Sequence, residues 1–362
     1  MAIHVRNVTI DAYRGISNLK LENLNHINVL TGDNNSGKTS VMEILSYIDS
    51  PECISTWVSS SRRNSGQKTL FYNYFYNMFP IDEDNKVIQF GYMNNKGEYT
   101  DIILKAYIEE TQIPEDEMLR LNGYLRTGSK RQENSVVETK CMHLGVEVNG
   151  LRVNEYALFD FQTRLSMYKP KDAGVVNIVS VSPTSHATGM LYLREILEDP
   201  ELYTEMLNVL QEFDEDIISI NVANVDEYSR IPEYMILSKR HNSALPLNVY
   251  GDGMKKAILM LSAVIKAKGG ILLLDEFETA IHTSAMEPVF SWILRSARKL
   301  DVQLFLTSHS KEAIDKILKC CPDMQDEINV YTIYKKSTQS YIRTMNGREA
   351  IQAQDDFGLE LR

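Results

Sequence analysis

The chain has 362 residues, a formal net charge of -11, 43% hydrophobic and 24% charged residues. That composition belongs to a globular protein with room for one large α/β domain or two smaller ones. The acidic balance argues against a surface that binds nucleic acid over its whole extent, and no apolar run approaches the roughly 20 residues needed to span a bilayer.

The first residues, with His4 and Arg6 in a strand-like alternation, lack the apolar core of a signal peptide. The four cysteines, Cys53, Cys141, Cys320 and Cys321, lack metal-ligand spacing. Cys320 and Cys321 are expected to close a helix as reduced thiols, which places the chain in the cytoplasm with no membrane partner.

Ile3 to Ile10 alternates like a strand. Tyr13-Arg14-Gly15-Ile16 then reads as a tight turn, with a second strand at Leu19 to Leu21. Arg14 is either a solvated turn residue or a cation near a bound nucleotide. His26 to Leu30 is expected to be a buried strand running into Gly32-Asp33-Asn34-Asn35-Ser36-Gly37-Lys38-Thr39. That octet fits the phosphate-loop pattern G-x-x-x-x-G-K-[ST] in full. Gly32 and Gly37 let the backbone curl so that successive N–H groups face a phosphate. Lys38 brings charge to the β- and γ-phosphates, and the Thr39 hydroxyl suits Mg²⁺. The helix expected from Ser40 to Leu45 adds the favourable field of its N-terminus.

After this helix the texture changes. A polar, basic, loop-like stretch runs from Ser59 to Lys68, and Phe71 to Phe79 is aromatic and expected to be helical. Lys86 to Tyr92 and Tyr99 to Tyr107 alternate around Asn94-Asn95-Lys96-Gly97, a hairpin signal. A second basic loop, Arg126 to Arg131, leads to two more expected strands, Val136 to Leu144 and Gly145 to Val153. Residues 51–170 thus read as an inserted antiparallel and helical arm. Its basic loops are either solvated or a contact for DNA, RNA or a partner.

Val175 to Val181 reads as a buried strand, Tyr192 to Phe213 as an acidic helix, and Ile217 to Val222, Tyr234 to Lys239 and Leu245 to Tyr250 as strands. Gly251-Asp252-Gly253 then feeds a helix from Ala257 to Ala267, an anion-binding geometry that is weak when taken alone. Ile271 to Leu274 is four apolar residues followed by Asp275 and Glu276. This places two carboxylates at the carboxyl edge of a parallel strand, where open α/β sheets bind ligands. Asp275 suits Mg²⁺, and Glu276 is placed to position or deprotonate an attacking water. The strand Val302 to Thr307 ends at Ser308-His309, so His309 reads as a γ-phosphate sensor. Ile328 to Lys336 and Ser340 to Met345 read as a hairpin.

In this order the motifs resemble an ABC-type ATPase head of the RecF, SMC and OLD class, most similar to bacterial OLD-like AAA-family ATPases such as the subunits of the Septu and PARIS defence systems. Tyr13 to Ile16 resembles the family's Arg-Gly turn, Gly32 to Thr39 Walker A, and Gly251 to Lys255 the ABC signature. Ile271 to Glu276 resembles Walker B, Glu278 and His282 its extension and D-loop, and Thr307 to Ser310 the H-loop. The signature reads Tyr-Gly-Asp-Gly-Met rather than Leu-Ser-Gly-Gly-Gln. Ser182-Pro183-Thr184 stands where a Q-loop is sought. Only about 50 residues follow His309, too few for the Toprim domain of the OLD nucleases.

The resemblance implies a head of residues 1–50 and 171–362, with a parallel phosphate-loop sheet and an antiparallel β-lobe. It implies ATP and Mg²⁺ as ligands. Lys38, Glu276 and His309 would be catalytic, and Thr39 and Asp275 would hold the metal. Arg14, residues 32–40 (Gly32 through Ser40) and Gly251 to Gly253 would touch nucleotide. Two copies would sandwich ATP head to tail, the signature of one facing the Walker motifs of the other. The implied roles are an ATPase of a defence complex with a separate effector chain, a RecF-like DNA clamp, or a transporter subunit. The Arg-Gly turn and divergent signature argue against the transporter.

Overall fold

The computed structural model describes residues 3–59, 70–80, 86–123, 135–164, 176–188, 191–223, 233–336 and 339–361. The basic loop at 126–131, and the one at 59–68 apart from Ser59, lie outside the described residues. The chain begins with β1 (Val5–Tyr13), β2 (Ile16–Leu21), β3 (Ile27–Thr31), α1 (Lys38–Tyr47), α2 (Ile54–Ser59) and α3 (Phe71–Tyr76). It continues with β4 (Lys86–Asn94), β5 (Tyr99–Pro114), α4 (Glu115–Leu121), β6 (Val136–Val148) and β7 (Leu151–Phe159). Then come β8 (Ile178–Val181), α5 (Arg194–Leu197), α6 (Pro200–Gln211), β9 (Ile217–Ala223), β10 (Glu233–Ser238) and β11 (Leu245–Pro246). The last third holds α7 (Asp252–Lys266), β12 (Ile271–Leu274), α8 (Thr283–Lys299), β13 (Gln303–Thr307), α9 (Lys311–Lys319), β14 (Ile328–Lys336), β15 (Gln339–Asn346) and α10 (Gly347–Phe357).

A six-stranded sheet of order β15-β14-β3-β13-β12-β8 forms the centre. Its strands are parallel except for β15, which closes one edge. β3, β12 and β13 are buried along their whole length, as parallel strands covered on both faces are. Alternate side chains feed two cores. Val29, Leu272, Leu274, Leu304 and Leu306 pack with Ile258 of α7, Phe290 of α8 and Ile314 of α9. Leu30, Ile271, Leu273 and Phe305 face the other way, toward Val41 and Leu45 of α1 and toward Ile10 and Phe90. Each such side chain contributes roughly 1.5–3 kcal/mol when taken out of water.

The register decides where the functional residues meet. Leu274 lies opposite both Leu306 and Val181, Thr307 opposite Leu30, and Thr332 opposite Thr31. The strands therefore end level, and the residues after them share one edge. The fold is the expected α/β head with a parallel phosphate-loop sheet.

The second sheet is antiparallel, of order β2-β1-β4-β5-β6-β7. β4 pairs directly with β1, Val8 opposite Tyr92, so the inserted strands continue the amino-terminal sheet. A three-stranded sheet, β11-β10-β9, is the third among the described residues. Among the described residues no helix is long and apolar enough to cross a membrane.

Three local expectations are corrected. The break between β6 and β7 falls at Asn149-Gly150, not at Leu144-Gly145; both turn residues have positive φ, 51° and 76°, as a tight Asn-Gly hairpin turn requires. The strand expected at 245–250 is two residues long and passes into a 3-10 turn at Leu247–Val249. The helix expected over 192–213 is two helices. Pro200 has no N–H to continue α5, and the Asp199 carboxylate caps α6 by accepting from the Glu201 and Leu202 amides.

Candidate active site

The loop between β3 and α1 takes the curled form its glycines permit. Gly32 has φ 131° and Gly37 φ 114°. A Cβ on Gly32 would lie 2.1 Å from the Ile333 carbonyl oxygen, and one on Gly37 2.9 Å from Ile16 Cδ1. Both conformation and space therefore demand glycine. Asn35 also sits at positive φ, 62°, a position asparagine tolerates. No side chain caps α1, so its first amides face the loop as anion donors.

Lys38 is 5% exposed. Its Nζ donates to the Gly32 carbonyl at 2.7 Å, the Asp33 carbonyl at 2.8 Å and Ser36 Oγ at 3.4 Å. Burial draws its pKa down to about 8, against the opposing pull of Asp275, Asp33, Glu276 and Glu278.

Thr307, at the end of β13, ties the two acids together. Its hydroxyl donates to Asp275 Oδ1 at 2.6 Å and accepts from the Glu276 amide at 2.8 Å. Glu276 has φ 46°, a left-handed conformation that costs a β-carbon-bearing residue about 1–2 kcal/mol. The twist sends the two neighbours to different places. Glu276 lines a cavity of about 550 Å³ together with Arg14, Lys38, Thr39, Ser40 and His309. Asn34, Asn35 and Gly37 line it too. Asp275 lines an adjoining pocket of about 40 Å³ with Thr39, Glu43 and Ser182. A hydroxyl and a carboxylate sharing a small pocket beside the phosphate loop fit Mg²⁺, which takes few protein oxygens and completes its shell with phosphate and water.

His309 reaches the cavity through Glu278. Glu278 Oε1 accepts from Ser308 Oγ at 2.8 Å and from the His309 amide at 3.2 Å. Glu278 thereby fixes the backbone that carries the histidine. His282 caps α8, its Nδ1 accepting from the Ser284 amide at 3.3 Å.

Arg14 is not a solvated turn residue. It has φ 51°, and its Nε lies 3.0 Å from Glu43 Oε2, with side chains only 9% and 2% exposed. Tyr13 donates to the same carboxylate at 2.8 Å, and its hydroxyl pairs with that of Tyr47 at 3.0 Å. Burial alone would lower the Arg14 pKa; Tyr13 and Glu43 outweigh it and keep the guanidinium charged. Burial first, then Glu43, pushes the Tyr13 phenol well above its usual range.

Gly251, Asp252 and Gly253 do not line the cavity of their own chain. They start α7, with Gly251 and Asp252 exposed, and a Cβ on Gly253 would lie 2.8 Å from the Ala280 carbonyl. The signature is thus stacked on the turn after Glu278. Ser182 faces the Asp275 pocket, and its carbonyl accepts from Lys256 Nζ at 3.3 Å. Thr307 stands in the H-loop motif, which gives it no part in holding the two acids, whereas Glu43 and Lys335 are site residues that no motif singles out. All three take their places from contacts distant in sequence.

Residues 153–315 match a family model described as "AAA domain, putative AbiEii toxin, Type IV TA system". An ATP/GTP phosphatase of Helicobacter pylori is 23% identical over 343 residues, covering 86% of each chain. The protein MJECL11 of Methanocaldococcus jannaschii is 30% identical over 114 residues, which is 98% of its length and 31% of this chain. Among solved structures, an SMC head bound to the C-winged helix domain of ScpA aligns with TM-score 0.51, 10% identity, 96% of this chain and all of that one. An SMC head with an extended coiled coil, bound to ScpA derived from Pyrococcus furiosus, aligns with TM-score 0.50, 9% identity, 98% of this chain and all of that one. The shared architecture is that of the SMC head.

Proposed function

We propose that this chain, a member of the ABC/RecF/SMC-like P-loop ATPases, binds MgATP in the cavity beyond β3 and hydrolyses it. The reading rests on one observation: Lys38, Thr39, Asp275, Glu276 and His309 meet at one level edge of one sheet.

In this reading the loop amides and Lys38 hold the β- and γ-phosphates. Glu276 orients a water and takes its proton as the water oxygen bonds to the γ-phosphorus and the bond to the β–γ bridging oxygen breaks. His309 donates to a γ-phosphate oxygen. Mg²⁺ held by Thr39 and Asp275 would screen the phosphate charge. The name of the Helicobacter relative includes both ATP and GTP, so both nucleotides belong in the assay.

The signature supports a second level of the proposal. Gly251 and Asp252 are exposed and away from their own cavity, so a second copy would complete each site head to tail. We further propose that this dimer senses or regulates in a bacterial anti-phage defence complex whose effector is a separate chain. The toxin–antitoxin description of the matching family supports that setting. An SMC- or RecF-like DNA clamp is the alternative, favoured by the head architecture; ATP-strengthened, salt-dependent duplex binding would select it.

The test of the core reading is MgATP turnover and sedimentation of the wild type and Glu276→Gln. The variant is expected to bind MgATP, lose roughly 100-fold or more in turnover and accumulate as a dimer. Wild-type turnover in the variant removes Glu276 from its role, and a wild type that binds no MgATP ends the proposal.

A further inference from the structure

The cavity has a cation that no phosphate-loop motif accounts for. Lys335 lies near the end of β14, beyond the residues matched by the family model. Its place follows from register. Thr332 pairs with Thr31 at the end of β3, so Lys335 lies three residues past the level at which β3 ends. The backbone at Ile333 already touches that loop, since its carbonyl oxygen fills the space where a Cβ of Gly32 would stand.

Lys335 lines the same cavity as Lys38, Thr39 and His309. Its Nζ donates to the Gly15 carbonyl at 3.1 Å. That contact holds the turn bearing Arg14, whose amide donates to the Met78 carbonyl at 3.0 Å. An ammonium has three N–H donors, and Gly15 takes one. Among the described residues no carboxylate forms an ion pair with Lys335, whereas Arg14 is compensated by Glu43. Lys335 is exposed, whereas Lys38 is buried.

We propose that Lys335 is a nucleotide-phosphate ligand supplied by the carboxyl-terminal hairpin, binding its anion from the wall formed with the Arg14-Gly15 turn. The inference rests on the nucleotide reading of this cavity. It gives β14 a role in holding substrate, while the proton transfer of the chemical step stays with Glu276. The effect of Lys335 is therefore in ground-state affinity, common to di- and triphosphate, rather than in the γ-phosphate chemistry.

The experiment is calorimetric titration of the full chain with MgATP and MgADP, for wild type, Lys335→Ala, Lys335→Arg and Lys38→Ala, with a thermal melt of each. Lys335→Ala is expected to melt like the wild type and to bind both nucleotides roughly 10- to 100-fold more weakly, the loss of one charged hydrogen bond. Lys335→Arg is expected to recover most of that loss. Wild-type affinities in Lys335→Ala, alongside a weakened Lys38→Ala, overturn the role of Lys335 and leave the nucleotide site standing. If the wild type binds neither nucleotide, both readings fall together. A loss in Lys335→Ala matched by a collapse of its melting transition, and not recovered by arginine, reduces Lys335 to a prop for the turn and also overturns the proposal.

Discussion

Arg14 and Glu43 form an ion pair of 3.0 Å that joins the first hairpin turn to the helix following the phosphate loop. The pair is nearly closed to solvent, and Tyr13 shares the carboxylate. Removing one partner of a buried pair leaves a charge without compensation, at about 3 kcal/mol. Glu43→Ala is expected to lose about that much in denaturant unfolding and to bind nucleotide more weakly, because Arg14 lines the cavity. In a double-mutant cycle, Arg14→Ala with Glu43→Ala should cost less than the two singles added. Strict additivity would show that the pair is not coupled.

Lys38 sets a pH dependence whose sign is fixed by its lowered pKa of about 8. Below that value the ammonium is charged and attracts phosphate; above it the neutral amine does not. Nucleotide affinity should therefore fall as pH rises from 7 to 9, by roughly 10-fold. Titrations at constant ionic strength measure this. Lys38→Arg should show a flat profile over that range, since its guanidinium stays charged. A flat wild-type profile would remove Lys38 as the titrating group.

Thr307 is fully buried and serves both Walker B acids. Thr307→Val keeps the shape but removes the hydroxyl that donates to Asp275 and accepts from the Glu276 amide. The expected cost is about 2 kcal/mol of stability, with turnover falling more than nucleotide affinity. A melt and a steady-state assay separate the two effects. Turnover at the wild-type level would mean that the acids hold their places without the threonine.

Gly251 gives a cleaner probe of the head-to-tail site than Gly253. A Cβ on Gly251 meets nothing within 4 Å, whereas one on Gly253 meets the Ala280 carbonyl at 2.8 Å. Gly251→Trp should fold and bind ATP as the wild type does, yet lose ATP-dependent dimerisation and turnover. Gly253→Ala should instead lower the melting temperature, the overpacking costing roughly 1–3 kcal/mol. A Gly251→Trp variant with full turnover would refute the shared site.

Much of the site was legible because its parts are local. The octet Gly32 to Thr39 is contiguous, and the contacts of Lys38 with Gly32, Asp33 and Ser36 lie within it. The same holds for four apolar residues ending in Asp275-Glu276, and for the strand ending in Ser308-His309. The turn at Asn149-Gly150 was missed, because the alternation reads as one strand running from Gly145 through it to Val153.

Sequence alone thus determined which strands end in the phosphate loop, the paired acids and the histidine, because periodicity and a phosphate-loop pattern are properties of short segments. It left the fate of Arg14 open between solvent and site, since a turn residue's surroundings come from elsewhere in the chain. Only the tertiary structure paired Arg14 with Glu43, set Thr307 between the two acids, turned Glu276 into the cavity at positive φ, and brought Lys335 against Gly15. Those contacts span 29 to 320 positions of chain. They exist because the parallel register brings strand ends to one level and the antiparallel sheet sets the Arg14 turn beside them, and hydrophobic periodicity, which selects a face, carries no record of which strand lies beside which.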